Sequence, residues 1–163
     1  MTNPTLVSYD SMNIIGIQIR TSNQQEKDPA IAKNPQLWQR FFIENIAGKI
    51  PNKIHDTQLF GLYTEYEGDH TGEYSLVVGA PVKTLQTIPA GMVGMSISPS
   101  TYYKFIGQGP MPQTVIATWQ TIWDYFAQDQ HDQLYQRTFH ADFELYDSTK
   151  PDYVEIYIGV SKF

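Results

Sequence analysis

The 163-residue chain contains no cysteine, which removes disulfides, thiolate metal sites and cysteine nucleophiles at once. It has no apolar run of membrane-spanning length, and its opening MTNPTLVSYD lacks the basic segment and apolar core of a signal peptide. The reading is of a soluble, cytoplasmic protein that does not engage a membrane. Basic residues are scarce, with Lys+Arg 11 against Asp+Glu 17 and a formal charge of −6. No Lys/Arg cluster offsets that deficit, so direct nucleic-acid binding is disfavoured and cationic partners are mildly favoured. His55, His70, His131 and His140 show no close ligand spacing, so no metal and no other cofactor is implied. The Gly107-Gln108-Gly109 triplet is followed by no Lys-Ser/Thr and makes no phosphate loop.

What is plentiful is apolar and aromatic surface. A hydrophobic content of 41%, with 13% aromatic, fits a folded globule, and this length is most simply one domain with a sizeable core. Residues 5–20 read as a strand interrupted near Ser11, with Ile15, Ile17 and Ile19 on one side, followed by a polar loop over 21–33. Asn34-Pro35 opens a helix with Asn as N-cap, and Gly48 is its stop. Leu37, Trp38, Phe41, Phe42 and Ile46 form the apolar stripe of that helix, and Trp38 is a candidate pocket wall. Strands over 59–66 and 73–82 flank the glycine-bracketed turn 68–72. After a short connection come two brief strands, 95–98 and 101–106. A second helix opens at Pro112, with Val115, Trp119, Ile122, Trp123 and Phe126 at helical spacing, and 131–138 is a polar return.

The last hairpin, 143–160, carries the sharpest chemistry. Two alternating runs flank a polar turn at 148–151, and pairing Asp147 with Asp152 sets Tyr146 opposite Tyr153 and Glu144 opposite Glu155. Two carboxylates about 5 Å apart repel, so one keeps its proton or a cation sits nearby. An aromatic rim with buried carboxylates suits an organic cation. The plainer alternative is two solvated glutamates on an exposed face.

The order strand, helix, hairpin occurs twice, in repeats of about 5–83 and 94–163. A shift of 80 places Tyr66 on Tyr146, Leu76 on Ile156 and Val78 on Ile158, while Leu37–Phe42 echoes Ile122–Ala127 at a larger shift. The same shift puts Thr64 and Ser75 on Glu144 and Glu155, so the scaffold itself does not demand acids there. Two such units stack about a pseudo-twofold axis, and a cleft at the axis is the natural ligand site.

At IPAG (88–91), SPSTYYKFIGQGP (98–110), IWDYF (122–126), DFELYD (142–147) and VEIYIGV (154–160) the chain resembles the GyrI-like small-molecule-binding domains, also called AraC-type or BmrR-type effector-binding domains. The resemblance implies an α+β fold of two pseudo-symmetric strand-helix-strand-strand repeats, an antiparallel sheet with two main helices, and a central ligand cleft. It implies one effector-binding domain over 1–163, free-standing because no helix-turn-helix precedes or follows. The implied ligand is a small amphipathic, lipophilic cationic molecule held by Glu144 and Glu155 among Tyr66, Tyr103, Tyr146, Tyr157 and Trp38. Gly159 departs from the proline common in the family. Two alternatives accompany this reading: a hydrolase opening cyclopropane rings of alkylating toxins through the same acid pair, and an interaction module acting on a gyrase or a transcription factor.

Overall fold

A computed structural model describes residues 4–128 and 133–163. His131 lies outside the described residues. Strands β1 (Thr5–Tyr9) and β2 (Met12–Ser22) are followed by α1 (Asn23–Glu26), α2 (Asn34–Ile43) and α3 (Ile46–Lys49). Then come β3 (Gln58–Thr64), β4 (Glu73–Val82), β5 (Val93–Ile97), β6 (Ser100–Gln108), α4 (Gln113–Ala127), β7 (Tyr135–Asp147) and β8 (Tyr153–Lys162). The architecture is α+β: an antiparallel sheet in the order β1-β6-β8-β7-β3-β4-β2-β5, with its two longer helices on one face.

The duplicated order is visible in that sheet. One unit is β2-α2-β3-β4 and the other β6-α4-β7-β8, joined where β3 pairs with β7. The break near Ser11 has a larger effect than a kink. It frees β1 to leave its own unit and pair with β6, while β5 crosses the other way to pair with β2.

Each long helix covers the outer strands of its unit. Leu37 and Phe41 of α2 pack on Ile15, Ile17, Leu76 and Val78. On the other side, Ile122 of α4 packs with Phe105, Val154, Ile156 and Ile158. The central strands β3 and β7 lie between the helices, which leaves a cleft above them. The sheet's other face buries a separate core including Phe60, Leu62, Tyr102, Phe143 and Tyr157. Tyr9 on the edge strand contacts Phe143 edge-on at 5.8 Å, so the sheet curls over that face.

Several local expectations are corrected. Asn34 is the first helical residue and not the cap. The free amides at that end are taken by Glu26, whose Oε2 accepts from Lys33 N and whose Oε1 accepts from Asn34 N, each at 2.9 Å. The Thr21 hydroxyl adds a third bond to Glu26 Oε2 at 2.6 Å. The segment expected to be loop is thus a strap with a short helix of its own. Gly48 lies inside α3, because α2 ends at Ile43 and the chain reverses at Asn45, whose φ is 48°. The stretch expected as a polar return already belongs to β7 from Tyr135 onward.

The largest correction is one of register. Glu144 pairs with Ile156 and Leu145 with Glu155, one position away from the expected alignment. Because side chains alternate, a single slip exchanges faces. Glu144 and Tyr146 point to the helix side with Ile156 and Ile158, while Glu155 and Tyr157 point to the opposite side with Phe143. The slip originates in the turn. Asp147 Oδ1 accepts from Thr149 N at 2.9 Å and its carbonyl accepts from Lys150 N at 2.9 Å, a local loop that takes in one more residue than the expected pairing allows.

Candidate ligand-binding site

Between α2 and α4 lies a cavity of about 830 Å³. Trp38 and Phe42 of α2 form one wall, and Val115, Trp119 and Trp123 of α4 the other. The floor is Tyr63 of β3 with Glu144 and Tyr146 of β7, and Asn23, Glu26 and Lys27 of the strap stand at the rim with Lys150 of the last hairpin.

Glu144 is the centre of the floor. It is 3% exposed, and it accepts three hydrogen bonds from neutral donors. Tyr63 Oη and Trp119 Nε1 donate to Oε2 at 2.8 and 2.7 Å, and Tyr146 Oη donates to Oε1 at 2.8 Å. Burial holds its carboxyl above the usual carboxylate range, and the three bonds offset only part of that effect. Among the described residues, no basic side chain lies within ion-pair distance of it. Burial, followed by the Glu144 charge, pushes the hydroxyl pKa of Tyr63 and of Tyr146 up, which keeps both as donors at neutral pH. The residue opposite Glu144 on β3 is Gly61. A Cβ there would stand 3.0 Å from Trp38 Cζ2 and 3.2 Å from Glu144 Oε1, so the missing side chain lets indole and carboxylate share the space.

Beside this centre, Asp142 is fully buried and paired with Arg137 Nη2 at 2.7 Å. Tyr66 Oη also donates to Asp142, and Gly159 N donates to Oδ1 at 2.8 Å. Gly159 therefore has a role beyond the strand end, since proline would remove that donor.

Of the expected site residues, Trp38, Tyr66, Glu144 and Tyr146 line the cavity. Three do not. Glu155 lies on the other face, where Tyr153 and Tyr157 hydroxyls donate to it at 2.7 and 2.6 Å, and Tyr157 goes with it for the same reason of register. Tyr103 faces the helix side but sits beneath α4, against Tyr125 and Tyr135 at 5.8 and 5.7 Å. Tyr63 and Trp119 were missed as site residues. For Trp119 a signal existed, because a buried indole N–H requires an acceptor. For Tyr63 the β3–β7 adjacency was needed.

The family described as Cass2, integron-associated effector binding protein, matches residues 5–160. The chain belongs to this family. A solved Cass2 structure, the integron cassette protein VCH_CASS2 from the mobile metagenome of Vibrio cholerae, is 31% identical with a TM-score of 0.81, covering 98% of this chain and 96% of that one. The structure of SAV2435 bound to tetraphenylphosphonium superposes with a TM-score of 0.74 at 21% identity, over 98% and 94% of the two chains. YobU of Bacillus subtilis (strain 168), named as a candidate transcriptional regulator, is 27% identical over 162 residues, 96% of this chain and 97% of that protein. As a Cass2 member the chain is an effector-binding protein of GyrI-like fold. Among the described residues, no helix is long and apolar enough to cross a membrane, and no group of three or more His, Asp or Glu side chains could hold a metal.

Proposed function

We propose that the cavity between α2 and α4 binds a lipophilic organic cation, with Glu144 as countercharge and Trp38, Tyr63, Trp119 and Tyr146 as π-faces. The observation that carries this reading is a buried carboxylate held only by neutral donors at the base of an aromatic cavity. Desolvating that carboxylate is unfavourable, and a cation resting on the rings above it recovers the loss without hydrogen bonds of its own. At an effective dielectric of about 20, charges about 6 Å apart attract by about 3 kcal/mol, on the order of a hundredfold in affinity. The tetraphenylphosphonium held by SAV2435 supports the ligand class, and the regulator name of YobU supports a role in which cavity occupancy is a transcriptional signal.

A hydrolase working through Glu144 and Glu155 has lost its geometry, because the two carboxylates lie on opposite faces and cannot divide acid and base roles at one substrate. The deciding experiment is calorimetric titration of the wild type and Glu144→Gln with tetraphenylphosphonium, beside neutral triphenylphosphine oxide. The cation should bind the wild type and lose at least tenfold in the variant, with the neutral compound indifferent to the change. Equal cation affinity in both proteins would refute the reading.

A further inference from the structure

The cavity wall carries a second half-buried carboxylate. Glu26 lines the strap end beside Asn34 and Tyr74, and its oxygens accept from the Thr21 hydroxyl and from the amides of Lys33 and Asn34, all neutral donors. Among the described residues it forms no ion pair. An aromatic path joins it to Glu144. Asn34 Nδ2 donates to Tyr74 Oη at 3.4 Å, the Tyr74 ring lies 5.4 Å from that of Tyr63, and Tyr63 Oη donates to Glu144 at 2.8 Å. Burial first, and then the Glu26 and Glu144 charges, push the Tyr74 hydroxyl up to about 12, against the bond from Asn34, which lowers it. That one ring senses both acids. The oxygens of Glu26 are committed, but a quaternary ammonium needs no lone pair and responds to charge through space. The amino end of α2 offsets that charge only in part, exposed Lys27 at the same rim is screened by water, and Arg137 is neutralised by Asp142. The third acid on the wall, Asp147, stands at the opposite end, where β3 begins. Bonds from Thr149, and to a smaller extent the Lys150 charge, hold its carboxyl below the usual range, so it already has a countercharge.

We propose that Glu26 is a second anionic station of the cavity, and that the preferred guest is an elongated dication with one positive centre over Glu144 and the other at the strap. This inference rests on the cation reading of the cavity and narrows it to a shape: two cationic heads joined by an apolar spacer lying across Tyr63 and Tyr74. The span follows from the sheet. Glu144 is on β7 and Thr21, which bonds Glu26, is on β2, three strands away in the sheet order and so about 14 Å. An aromatic cavity with a single acid favours the opposite guest, one head with an apolar tail, because a second head would lose its water and find no countercharge. The order of preference between one-headed and two-headed guests of equal length therefore reports on Glu26.

The test is calorimetric titration with decamethonium, its shorter homologue hexamethonium, and decyltrimethylammonium, which has the same chain and one head. The wild type should bind decamethonium about tenfold more tightly than decyltrimethylammonium, with hexamethonium weaker than decamethonium because its spacer is too short. Glu26→Gln, isosteric but uncharged, should abolish the preference for two heads. Thr21→Val removes one hydrogen bond from the strap and keeps the Glu26 charge, so it should retain the preference, which separates charge from loosening of the strap. Equal or weaker binding of decamethonium by the wild type overturns the second station and leaves the cation reading standing. A preference that survives Glu26→Gln, or that is lost in Asp147→Asn instead, overturns the role of Glu26. Failure of tetraphenylphosphonium to bind the wild type overturns both readings.

Discussion

Tyr63 and Glu144 occupy equivalent places in the two repeats and are hydrogen-bonded to each other, Tyr63 Oη to Glu144 Oε2 at 2.8 Å. The equivalence follows from register. Tyr63 pairs with Leu76, and Glu144 with Ile156. Superposing β4 on β8 by 156 − 76 = 80 therefore superposes β3 on β7 by 144 − 63 = 81. The duplication thus brings a phenol from one copy against a carboxylate from the other at the axis, and the site depends on the two copies having diverged.

Glu144→Gln should alter stability with a defined sign. The folded-state pKa of Glu144 is raised, chiefly by burial, so the folded state holds more protons between the unfolded value and the folded one. Stability from this group falls as pH rises through that window and is restored below it. The variant is isosteric: its carbonyl oxygen accepts from Tyr63 and Trp119, and its amide donates to a reoriented Tyr146 hydroxyl. Without ligand, its melting temperature should exceed that of the wild type at pH 8, with the difference closing toward about pH 4. Calorimetric melting across that range checks it.

Cation binding should strengthen with rising pH over the same window and release a proton near the folded pKa, because the guest favours the carboxylate form. Titration in two buffers of different ionisation enthalpy reads the released proton directly. A pH-independent affinity would place the guest away from Glu144.

Gly61→Ala should weaken both fold and site. The new Cβ enters space already held by Trp38 and Glu144, so the indole or the carboxylate must move, at a cost of about 1 kcal/mol in stability. Tetraphenylphosphonium affinity should fall with it, while a change to alanine at the exposed Gln39 should leave both unchanged.

Asp142→Asn should destabilise the protein by about 3 kcal/mol, because Arg137 is left buried without its counter-ion. Urea unfolding measures this. The loss should exceed that from Arg40→Ala, which removes the half-exposed pair of Arg40 with Glu44.

Glu26→Ala should free the amides of Lys33 and Asn34 and the hydroxyl of Thr21, costing about 1–2 kcal/mol. Hydrogen exchange should quicken at the start of α2 and along the strap, with the interior of α4 unaffected.

The sequence made the duplicated topology, both long helices and Trp38 as a cavity wall legible, because each rests on periodicity that survives small errors in boundaries. The partner of Glu144 was not legible. It depended on how many residues a turn containing Asp147, Thr149 and Pro151 consumes, and the side-chain bond from Asp147 to Thr149 settles that count only once the loop is folded. The same one-residue slip assigned Thr64 as the counterpart of Glu144, although Thr64 bonds the backbone of His140 on the opposite face. Glu26 escaped notice for a related reason: in a polar stretch, nothing local distinguishes a carboxylate that will cap a helix eight residues away from one left in water.

The crossing of β1 and β5 bears on how such a protein could respond to its guest. Each half is clasped by a ribbon from the other, so prying the halves apart would tear backbone ladders at both margins. If the cavity takes the proposed cation, room for it comes from rotamers and from the tether held by Glu26, within a frame of unbroken ladders.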